Sequence, residues 1–316
     1  MHARHFHLLH YLRHCLSVLL SCLLTGCAWH TASLQEIWNT KERQSTSLQE
    51  LLAHAAQSDV VLIGESHDNR RHHLMQNVIL QAVVTAGKKP TLAMEQYDLA
   101  QQSQLDAIAQ SLQAWPEKAD AFAALMGSGW DRSGYRALLE TAARENLHIV
   151  AANISRQALK EVSGQSIEVL GAQEVQRLGL REGWSATQQS ALEQDIFHGH
   201  CSALPPVAIE ALAKAQRVRD AVMADRILSG TRPVVAILGR GHARADLAVP
   251  WYIKHRDPNK SVLTINLAQD ADQALLPTSS SMAEAERYDY VLRFPSGTPA
   301  VDYCAAFNFP ASGPSR

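Results

Sequence analysis

The sequence lacks an excess of charge of either sign. Its 316 residues include 29 lysines and arginines and 31 aspartates and glutamates, which leaves a formal net charge of -2. A near-neutral chain has no long-range attraction for nucleic acids or other acidic polymers, so we expect no nucleic-acid partner. Hydrophobic residues make up 46% of the chain, enough for a large buried core in one or two domains.

The sequence also lacks the motifs of several common enzyme classes. The Gly-Arg-Gly at residues 239–241 is too short for the glycine fingerprint of dinucleotide binding, and the Gly-Glu-Ser-His at residues 64–67 lacks the glycines and lysine of a phosphate-binding loop. The latter stretch is not the Gly-x-Ser-x-Gly turn of a serine hydrolase either. Nucleotide binding and a serine nucleophile are therefore disfavoured.

The apolar run at residues 16–24 is too short for a permanent membrane span, which takes about 20 residues. With the basic head before it and the small residues after it, this run is typical of a secretory signal peptide. Leu-Thr-Gly-Cys at residues 24–27 is also similar to the lipobox of bacterial lipoproteins, whose cysteine is acylated. We expect residues 1–26 to be removed and Cys27 to carry lipid. Because Ala28 follows rather than aspartate, we expect an outer-membrane lipoprotein facing the periplasm; an ordinary signal peptide is the alternative.

Cysteine is scarce, with five residues in the chain. Cys15 and Cys22 would leave with the signal peptide and Cys27 would be lipidated, so Cys201 and Cys304 would remain as thiols. The periplasm permits disulfides, but pairing depends on Cα and Cβ geometry that a sequence does not give. Whether these two cysteines pair stays open at this point.

Short apolar runs alternate with helical patterns over most of the chain. The runs are rich in Val, Ile, Leu and Ala and occupy residues 60–64, 91–95, 148–152, 234–239 and 262–267, with a further edge strand expected at 288–294. Helical patterns with one apolar side include residues 71–85 and 135–145. The alternation predicts an α/β fold with a mostly parallel open sheet flanked by helices.

Two segments depart from this alternation. Residues 27–47 are predicted to be the lipidated N-terminus and a polar tether. Residues 155–229 contain helical patterns at 172–178, 186–197 and 206–228, which predict an inserted all-helical subdomain. The α/β domain would then consist of residues 48–154 and 230–316.

Polar side chains follow the ends of four predicted strands. Glu65 and His67 follow the first strand, Glu95 ends the second, Asn153 follows the third, and His242 follows the fourth. Because ligands bind beyond the carboxyl ends of the strands in an open parallel sheet, we expect these side chains to share a site. The alternative is separate structural roles, although a buried carboxylate is unfavourable unless it is paired.

The helix after the first strand begins near Asp68 and Asn69 and contains two adjacent histidines. Asp68 is expected either to take part in the site or to cap the helix. His72 and His73 point about 100° apart on a helix and cannot serve one centre as an i, i+4 pair would. One of them is therefore expected in a surface or packing role.

Several separated motifs occur in the order of one known family. They are Leu62-Ile63-Gly64-Glu65-Ser66-His67-Asp68 with His72, His73 and Gln76; Ala93-Met94-Glu95; Gly129-Trp130; Ala151-Ala152-Asn153; His198-Gly199-His200-Cys201 with Pro205; Gln216-x-x-Arg219-Asp220-x-x-Met223; and Leu238-Gly239-Arg240-Gly241-His242 with Val249-Pro250. On these residues the chain resembles the ChaN-like haem-binding lipoproteins. That family is part of a superfamily with TraB, Tiki and erythromycin-esterase-like proteins, and the resemblance spans roughly residues 58 to 270.

The resemblance implies haem binding for iron acquisition, a lipid anchor, and a homodimer that holds haem between its subunits. It also implies a tyrosine as iron ligand with histidine assisting. Tyr135, which follows Gly129-Trp130, is the first candidate ligand, ahead of Tyr97 and Tyr303; a core or surface role is the alternative for each. The candidate histidines are His67, His72 and His242. Arg240 and Arg156 are candidates to pair with haem propionates, or with Glu65 or Glu95 instead.

An enzymatic hypothesis competes with haem binding, because superfamily relatives use the same Glu-x-His and Gly-x-x-His positions for hydrolysis or metal binding. His67 or His242 would be the general base, and Glu65 or Glu95 would assist it. A divalent metal held by His67, His242 and Glu95 would suit such a hydrolase, although no spacing identifies a metal. A lipid-anchored interaction module is the third hypothesis.

Overall fold

The computed structural model describes residue 34, residues 36–230, 233–269 and 287–295, and residue 304. The predicted signal peptide, Cys27 and Tyr303 lie outside the described residues. Within the described helices, none is both long enough and apolar enough to cross a bilayer.

An eight-stranded sheet forms the centre of the fold, with strand order β2-β1-β8-β7-β3-β6-β4-β5. The strands are β1 (Glu36–Asn39), β2 (Gln44–Ser45), β3 (Val60–Glu65), β4 (Thr91–Asp98), β5 (Ile149–Asn153), β6 (Val234–Gly239), β7 (Val262–Gln269) and β8 (Tyr290–Phe294). Neighbours from β8 to β5 pair in parallel, whereas β1 pairs antiparallel with β8 and β2. The α/β fold and the mostly parallel sheet are as predicted.

Ten α-helices lie within the described residues. They are α1 (Leu48–Gln57), α2 (Arg70–Thr85), α3 (Gln102–Gln110), α4 (Trp115–Leu125), α5 (Arg136–Arg144), α6 (Arg156–Gly164), α7 (Ala172–Arg177), α8 (Ala186–Gly199), α9 (Pro206–Ser229) and α10 (Val249–Arg256). Short 3₁₀ turns cover Leu99–Gln101, Ile167–Leu170 and Arg240–Ala243.

The sheet has a hydrophobic layer on each face because successive side chains of a strand point to opposite sides. Val61 and Ile63 of β3 pack with residues of α1, α2 and α5. Val60 and Leu62 pack on the other face with residues of α6, α9 and α10. Residues 156–229 contain helices without strands, and two of these helices, α6 and α9, thus cover the second face.

The N-terminal segment differs from the prediction of a tether up to residue 47. This segment is polar, but it contains a four-residue strand, β1, in which partly exposed and buried residues alternate. Ile37 of this strand packs in the hydrophobic core. β1 pairs with β8 along its whole length. The predicted strand near residues 288–294 exists, but it does not lie at the edge of the sheet, because β1 covers it.

Cys201, just after α8, and Cys304, near the C-terminus, form a disulfide with Cα atoms 5.4 Å apart. This answers the question that the sequence left open. The bridge connects the α8–α9 turn to the end of the chain across 103 residues of sequence.

Candidate functional site

The last residue of β3, Glu65, is a fully buried carboxylate at the carboxyl edge of the sheet. One carboxylate oxygen lies 2.9 Å from Nδ1 of His67 and accepts a hydrogen bond from Gln96 at 3.0 Å. The Tyr135 hydroxyl donates to the same oxygen, and Gln76 donates to the other. Four polar partners thus replace the water that burial removes from this charge.

A second buried carboxylate, Glu95, lies in the neighbouring part of the site on β4. It accepts a hydrogen bond from the backbone N–H of Gly239 at 2.6 Å, and it lies 3.5 Å from Nε2 of His242 and 4.0 Å from Nε2 of His67. Burial alone would raise the pKa of Glu95, but the positive charge of His242, its hydrogen bond and the charge of His67 lower this pKa to about 2. Glu95 is therefore ionised at neutral pH.

His242, in the 3₁₀ turn after β6, lies between two carboxylates. Its Nδ1 is 2.5 Å from the Asp220 carboxylate of α9, and its Nε2 faces Glu95. Burial alone would lower the pKa of His242, but the charges of Glu95 and Asp220 raise it to about 10. Burial raises the pKa of Asp220 in spite of its histidine partner. The two carboxylates thus favour the charged form of the buried His242 ring.

These contacts form one chain of alternating acids and imidazoles, which we call the acid–imidazole array: Glu65, His67, Glu95, His242 and Asp220. Four of its members follow or lie on parallel strands, at the edge where the sequence placed them. The structure therefore brings Glu65, His67, Glu95 and His242 together.

His67 is the member of the array that reaches solvent. Its side chain is 41% exposed, and its ring packs edge-on against Trp130 with centroids 4.7 Å apart. Burial alone would lower the pKa of His67, but the hydrogen bond to Glu65 and the charge of Glu95 raise it. We call the surface around His67 and Trp130 the array opening.

The two adjacent histidines of α2 both lie below the surface. Nδ1 of His72 accepts a hydrogen bond from the Ser66 N–H at 3.0 Å, and burial, with the charges of His73 and Arg240, lowers the pKa of His72 to about 3. His73 packs on Tyr135 at 4.0 Å between ring centroids, and burial lowers its pKa despite the charge of Glu65. His72 thus has a packing role rather than a place at the array opening.

The start of α2 also corrects a sequence expectation. Asn69, not Asp68, is the N-cap, and its side chain accepts a hydrogen bond from the Arg71 N–H at 2.9 Å.

Arg240 lies in the 3₁₀ turn after β6. Its Cα packs so closely on β3 that a Cβ on Gly64 would come within 2.8 Å of it. Only glycine fits at residue 64 without a shift of the backbone.

The tyrosines predicted as iron ligands are buried. The Tyr97 hydroxyl donates to the Phe122 carbonyl at 2.8 Å, and the Tyr135 hydroxyl donates to Glu65. Burial raises the pKa of Tyr97, and burial together with the charge of Glu65 raises that of Tyr135. Both phenols are thus enclosed and hydrogen-bonded within the protein. The other described tyrosines, Tyr252, Tyr288 and Tyr290, are buried as well.

Asp220 and Gln216 were not predicted as site residues from the sequence. Both lie on α9, and the Gln216 amide is 2.9 Å from Nδ1 of His242. A signal was present: Asp220 is a single acid among the apolar residues Val218, Ala221 and Met223, all of them buried. An acid on the buried face of a helix needs a partner. Gln76 and Gln96, the amides that bind Glu65, carry no comparable signal.

A separate groove lies between α8 and α9, with a volume of about 520 Å³. Its lining residues are Ser190, Glu193, Gln194, Phe197, Pro206, Val207, Ile209 and Glu210. Val207, one of the apolar lining residues, is 73% exposed. We call this cavity the α8–α9 groove.

Two exposed histidines, His198 and His200, lie at the end of α8, one and three residues after the groove residue Phe197. The His198 ring packs against Phe197, a groove residue, at 5.5 Å between centroids. Nδ1 of His200 lies 2.7 Å from the Ile196 carbonyl and donates to it, which leaves Nε2 as the acceptor nitrogen of a neutral ring.

The geometry of the array also bears on the metal site that the enzymatic hypothesis would use. Among the described residues, no group of three or more histidine, cysteine, aspartate or glutamate side chains is arranged to hold a metal ion. The histidines and carboxylates of the array bind one another instead, so a metal held by His67, His242 and Glu95 has no support from this geometry.

Comparisons with known proteins match the chain to one family. A family model described as "Haem-binding uptake, Tiki superfamily, ChaN" matches residues 51–253. A search among curated proteins found no match.

Several solved structures are similar to this chain. ChaN of Campylobacter jejuni, which binds haem cofacially, is 19% identical, with 82% of this chain and 96% of that chain covered and a TM-score of 0.66. An erythromycin esterase mutant in its open conformation is 10% identical, with 83% and 97% covered and a TM-score of 0.48. A Bacillus cereus protein is 11% identical, with 77% and 74% covered and a TM-score of 0.43. The first likeness shows the fold, and the other two are too distant to indicate an activity.

Proposed function

This chain belongs to the haem-binding uptake family of the Tiki superfamily, the family of ChaN, and from that premise we propose that it binds haem in the α8–α9 groove. A haem pocket needs apolar walls and an axial ligand for the iron. Phe197, Pro206, Val207 and Ile209 provide apolar surface in the groove. Glu193 and Glu210 also line it, so the propionates would point away from them.

We propose His200, which follows the lining residue Phe197 by three residues, as the iron ligand. Histidines that bind metals usually donate their other ring N–H to a carbonyl or carboxylate, which fixes the tautomer. The Nδ1 contact of His200 with the Ile196 carbonyl is such an arrangement, and the side chain is exposed. Haem supplies the iron chemistry when bound; the chain supplies the ligand nitrogen and the apolar walls. The contact of His200 with the Ile196 carbonyl is the observation that carries the proposal. The described tyrosines, in contrast, are all buried.

Titration of the protein without residues 1–27 with hemin tests this proposal. We expect a saturable shift of the haem absorption band, and we expect His200→Ala to weaken binding at least about tenfold and to change the spectrum. His148→Ala, which alters an exposed histidine paired with Asp106, is the matched control and should bind as the unaltered protein does. Val207→Asp should weaken binding too, since it places a charge in the apolar groove.

Absence of a saturable change with hemin would contradict haem binding itself. Saturable binding that His200→Ala and Val207→Asp leave unchanged would retain haem binding but reject the groove. In that case the next variants to test are His198→Ala and Tyr303→Phe.

A role in haem and iron acquisition at the outer membrane, with a lipid anchor at Cys27, is part of the same proposal. The lipobox-like residues before Cys27 support it. Labelling of cells with radioactive palmitate should mark the full-length protein but not a Cys27→Ser variant, which should leave the membrane fraction. Equal labelling of both proteins would reject the anchor.

A homodimer that encloses haem is the third part. The exposed apolar side chain of Val207 beside the groove supports it, because a second copy would cover such surface. Sedimentation measurements with and without hemin should show dimers that increase with hemin. Monomers at saturating hemin would reject this assembly.

Hydrolysis at the array is a second candidate function, favoured by one observation: a buried chain of charged groups ends in the exposed ring of His67. Because Glu65 and Glu95 raise the pKa of His67, its protonated ring would donate a proton to the leaving group, and the neutral ring would then take up the proton that the attacking water releases. Ester and peptide substrates should then be cleaved by the unaltered protein but not by His67→Ala. If haem, esters and peptides all fail, the interaction module is the remaining hypothesis.

A further inference from the structure

A second cavity, with a volume of about 420 Å³, lies between α3, α4 and the end of α5. Its lining residues include Asp106 and Ala109 of α3, Lys118 and Phe122 of α4, and Ala142 and Leu147 at the end of α5. We call it the α3–α5 cleft. His148, which also lines it, directly precedes β5, so the cleft lies at the amino end of that strand and the array at the carboxyl ends. Its size is that of a small-molecule site.

The floor of the α3–α5 cleft is apolar because the end of α5 satisfies its own carbonyls. The Leu147 N–H donates to the Ala142 carbonyl at 2.9 Å, and the Asn146 N–H donates to the Ala143 carbonyl at 3.3 Å. Asn146 has a φ of 49°, the left-handed conformation that such a helix end requires and that asparagine tolerates. The side chains of Phe122, Ala142 and Leu147 are buried. A ligand would therefore meet apolar surface there.

Lys118 supplies a positive charge to the α3–α5 cleft. Its Nζ donates to the carbonyl of Ala109, another lining residue, at 2.8 Å. This contact holds the ammonium group beside the end of α3. Among the described residues, no acid lies within ion-pair distance of Lys118. An ammonium group has three N–H donors, so two of them are left for another partner.

The acid that lines the α3–α5 cleft is already compensated. Asp106 accepts a hydrogen bond from the Gln102 amide at 2.9 Å and lies 3.3 Å from Nε2 of His148. Lys118 is therefore the charge that the lining residues leave unbalanced. The alternative role for Lys118 is to cap α3, because the last carbonyls of a helix lack partners within it. A cap alone would give the cleft no preference for an anion.

We propose that the α3–α5 cleft binds a small organic acid, with the carboxylate on Lys118 and a compact apolar group on Phe122 and Leu147. A carboxylate accepts charge-assisted hydrogen bonds from an ammonium group, and the buried floor suits the apolar part. The cleft is separate from the α8–α9 groove. Phe122 and Leu147 belong to the hydrophobic layer that contains Val61 and Ile63 of β3, whereas α9 covers the other face of the sheet.

Comparison of phenylbutyrate with the neutral phenylbutanol tests the proposal. The two molecules share their apolar part, so a difference in affinity reports the contribution of the carboxylate. We expect phenylbutyrate to bind saturably and at least about tenfold more tightly, the effect of one charge-assisted hydrogen bond. Isothermal titration calorimetry or ligand-observed nuclear magnetic resonance measures both affinities.

Variants assign this difference to the α3–α5 cleft. Lys118→Gln should weaken phenylbutyrate binding at least about tenfold and leave phenylbutanol unchanged, whereas Lys118→Arg, which keeps the charge, should retain the preference. Ala109→Leu should weaken binding of both molecules because it fills part of the cleft. Lys214→Gln is the matched control: Lys214 of α9 also donates to a backbone carbonyl, that of Gln165, at 2.5 Å, but does not line the cleft.

Equal affinities for the two molecules, no saturable binding of phenylbutyrate, or a preference that Lys118→Gln leaves intact would overturn the proposal. The carboxylate could belong to a free acid or to a haem propionate, and competition separates these sources. Displacement of phenylbutyrate by hemin, but not by hemin dimethyl ester, identifies a propionate; displacement by neither identifies a free acid. Displacement by both would overturn recognition through the carboxylate. Failure of hemin to bind would reject the proposed function alone, since phenylbutyrate contains no iron.

Discussion

At the scale of single residues, the array depends on which groups carry a proton. Glu95 and His242 are both ionised at neutral pH because each stabilises the charge of the other in a buried environment. His67 lies near Glu95 as well, but its second carboxylate is Glu65 and its ring reaches water. The array therefore separates an internal ion pair from a proton-carrying group at the surface.

Asp220→Asn should destabilise the protein. His242 would keep its charge in a buried place with one carboxylate fewer, and removal of one partner of such a pair lowers the free energy of unfolding by about 3 kcal/mol. Urea unfolding measures the change. Asp106→Asn, which alters an exposed acid 3.3 Å from His148, is the control and should change stability by less than about 1 kcal/mol. Equal losses in the two variants would contradict a special role for Asp220.

The free energy of unfolding should depend on pH through these same groups. The pKa of His242 is raised from 6.5 to about 10, so its contribution to stability is full below 6.5 and is lost as pH rises toward 10. The pKa of Glu95 is lowered from 4.5 to about 2, so its contribution is full above 4.5 and is lost as pH falls toward 2. Stability from this pair is therefore greatest between 4.5 and 6.5.

Urea unfolding from pH 6.5 to about 10 measures the His242 dependence, with His242→Gln as the comparison. The variant should lose less stability than the unaltered protein as pH rises above 6.5, because it has no proton to release there. Parallel curves for the two proteins above that pH would show that His242 is not protonated in the folded state.

The sequence indicated some of these residues and not others for a physical reason. The carboxyl ends of parallel strands meet at one edge of a sheet. The convergence of Glu65, Glu95 and His242 could therefore be predicted from their positions at the ends of such strands. Asp220 lies on a helix, and its direction depends on how α9 rotates against the sheet. Tyr135 was ranked first because it follows the Gly129-Trp130 motif. Its burial could not be predicted, because it depends on how α5 packs against α2.

At the scale of elements, short strands and tight turns set the limits of prediction. The five apolar runs from residue 60 to residue 269 became β3 to β7, because parallel strands buried on both faces are continuously hydrophobic. β1 escaped detection because only alternate residues of its four are buried. Its pairing with β8 identifies it as a strand.

The turn after β6 gives a test of the array that leaves its charged residues intact. Gly239→Ala would place a Cβ 2.9 Å from Nε2 of His67 and 3.4 Å from Glu95. The partly exposed His67 ring should move away, so we expect its pKa to fall toward the ordinary value while stability changes by less than about 1 kcal/mol.

Nuclear magnetic resonance titration of the His67 ring measures this pKa. Gly241→Ala is the control, because a Cβ on Gly241 has no neighbour within 4 Å. A shift of equal size in the two variants would mean that contact with Gly239 does not position His67.

At the scale of the whole molecule, two helical layers cover one sheet and a covalent bridge joins distant parts. The layers follow from alternating burial along the strands. The bridge between Cys201 and Cys304 does not follow from composition, since it requires Cys304 to lie next to the α8–α9 turn.

The double variant Cys201→Ser, Cys304→Ser should be less stable than the oxidised protein. A cross-link over 103 residues limits the unfolded chain and contributes about 4 kcal/mol to the free energy of unfolding. Thermal unfolding with and without a reducing agent measures it: the reductant should lower the midpoint of the unaltered protein and leave the variant unchanged. Equal midpoints for the oxidised protein and the variant would contradict this contribution.

The position of this bridge also orders events during synthesis. A ribosome releases the chain from the N-terminus, so Cys201 emerges while β6, β7, α10 and β8 are still to be made. Its partner, Cys304, follows 103 residues later. The bridge can therefore form only after all eight described strands of the sheet have been synthesised.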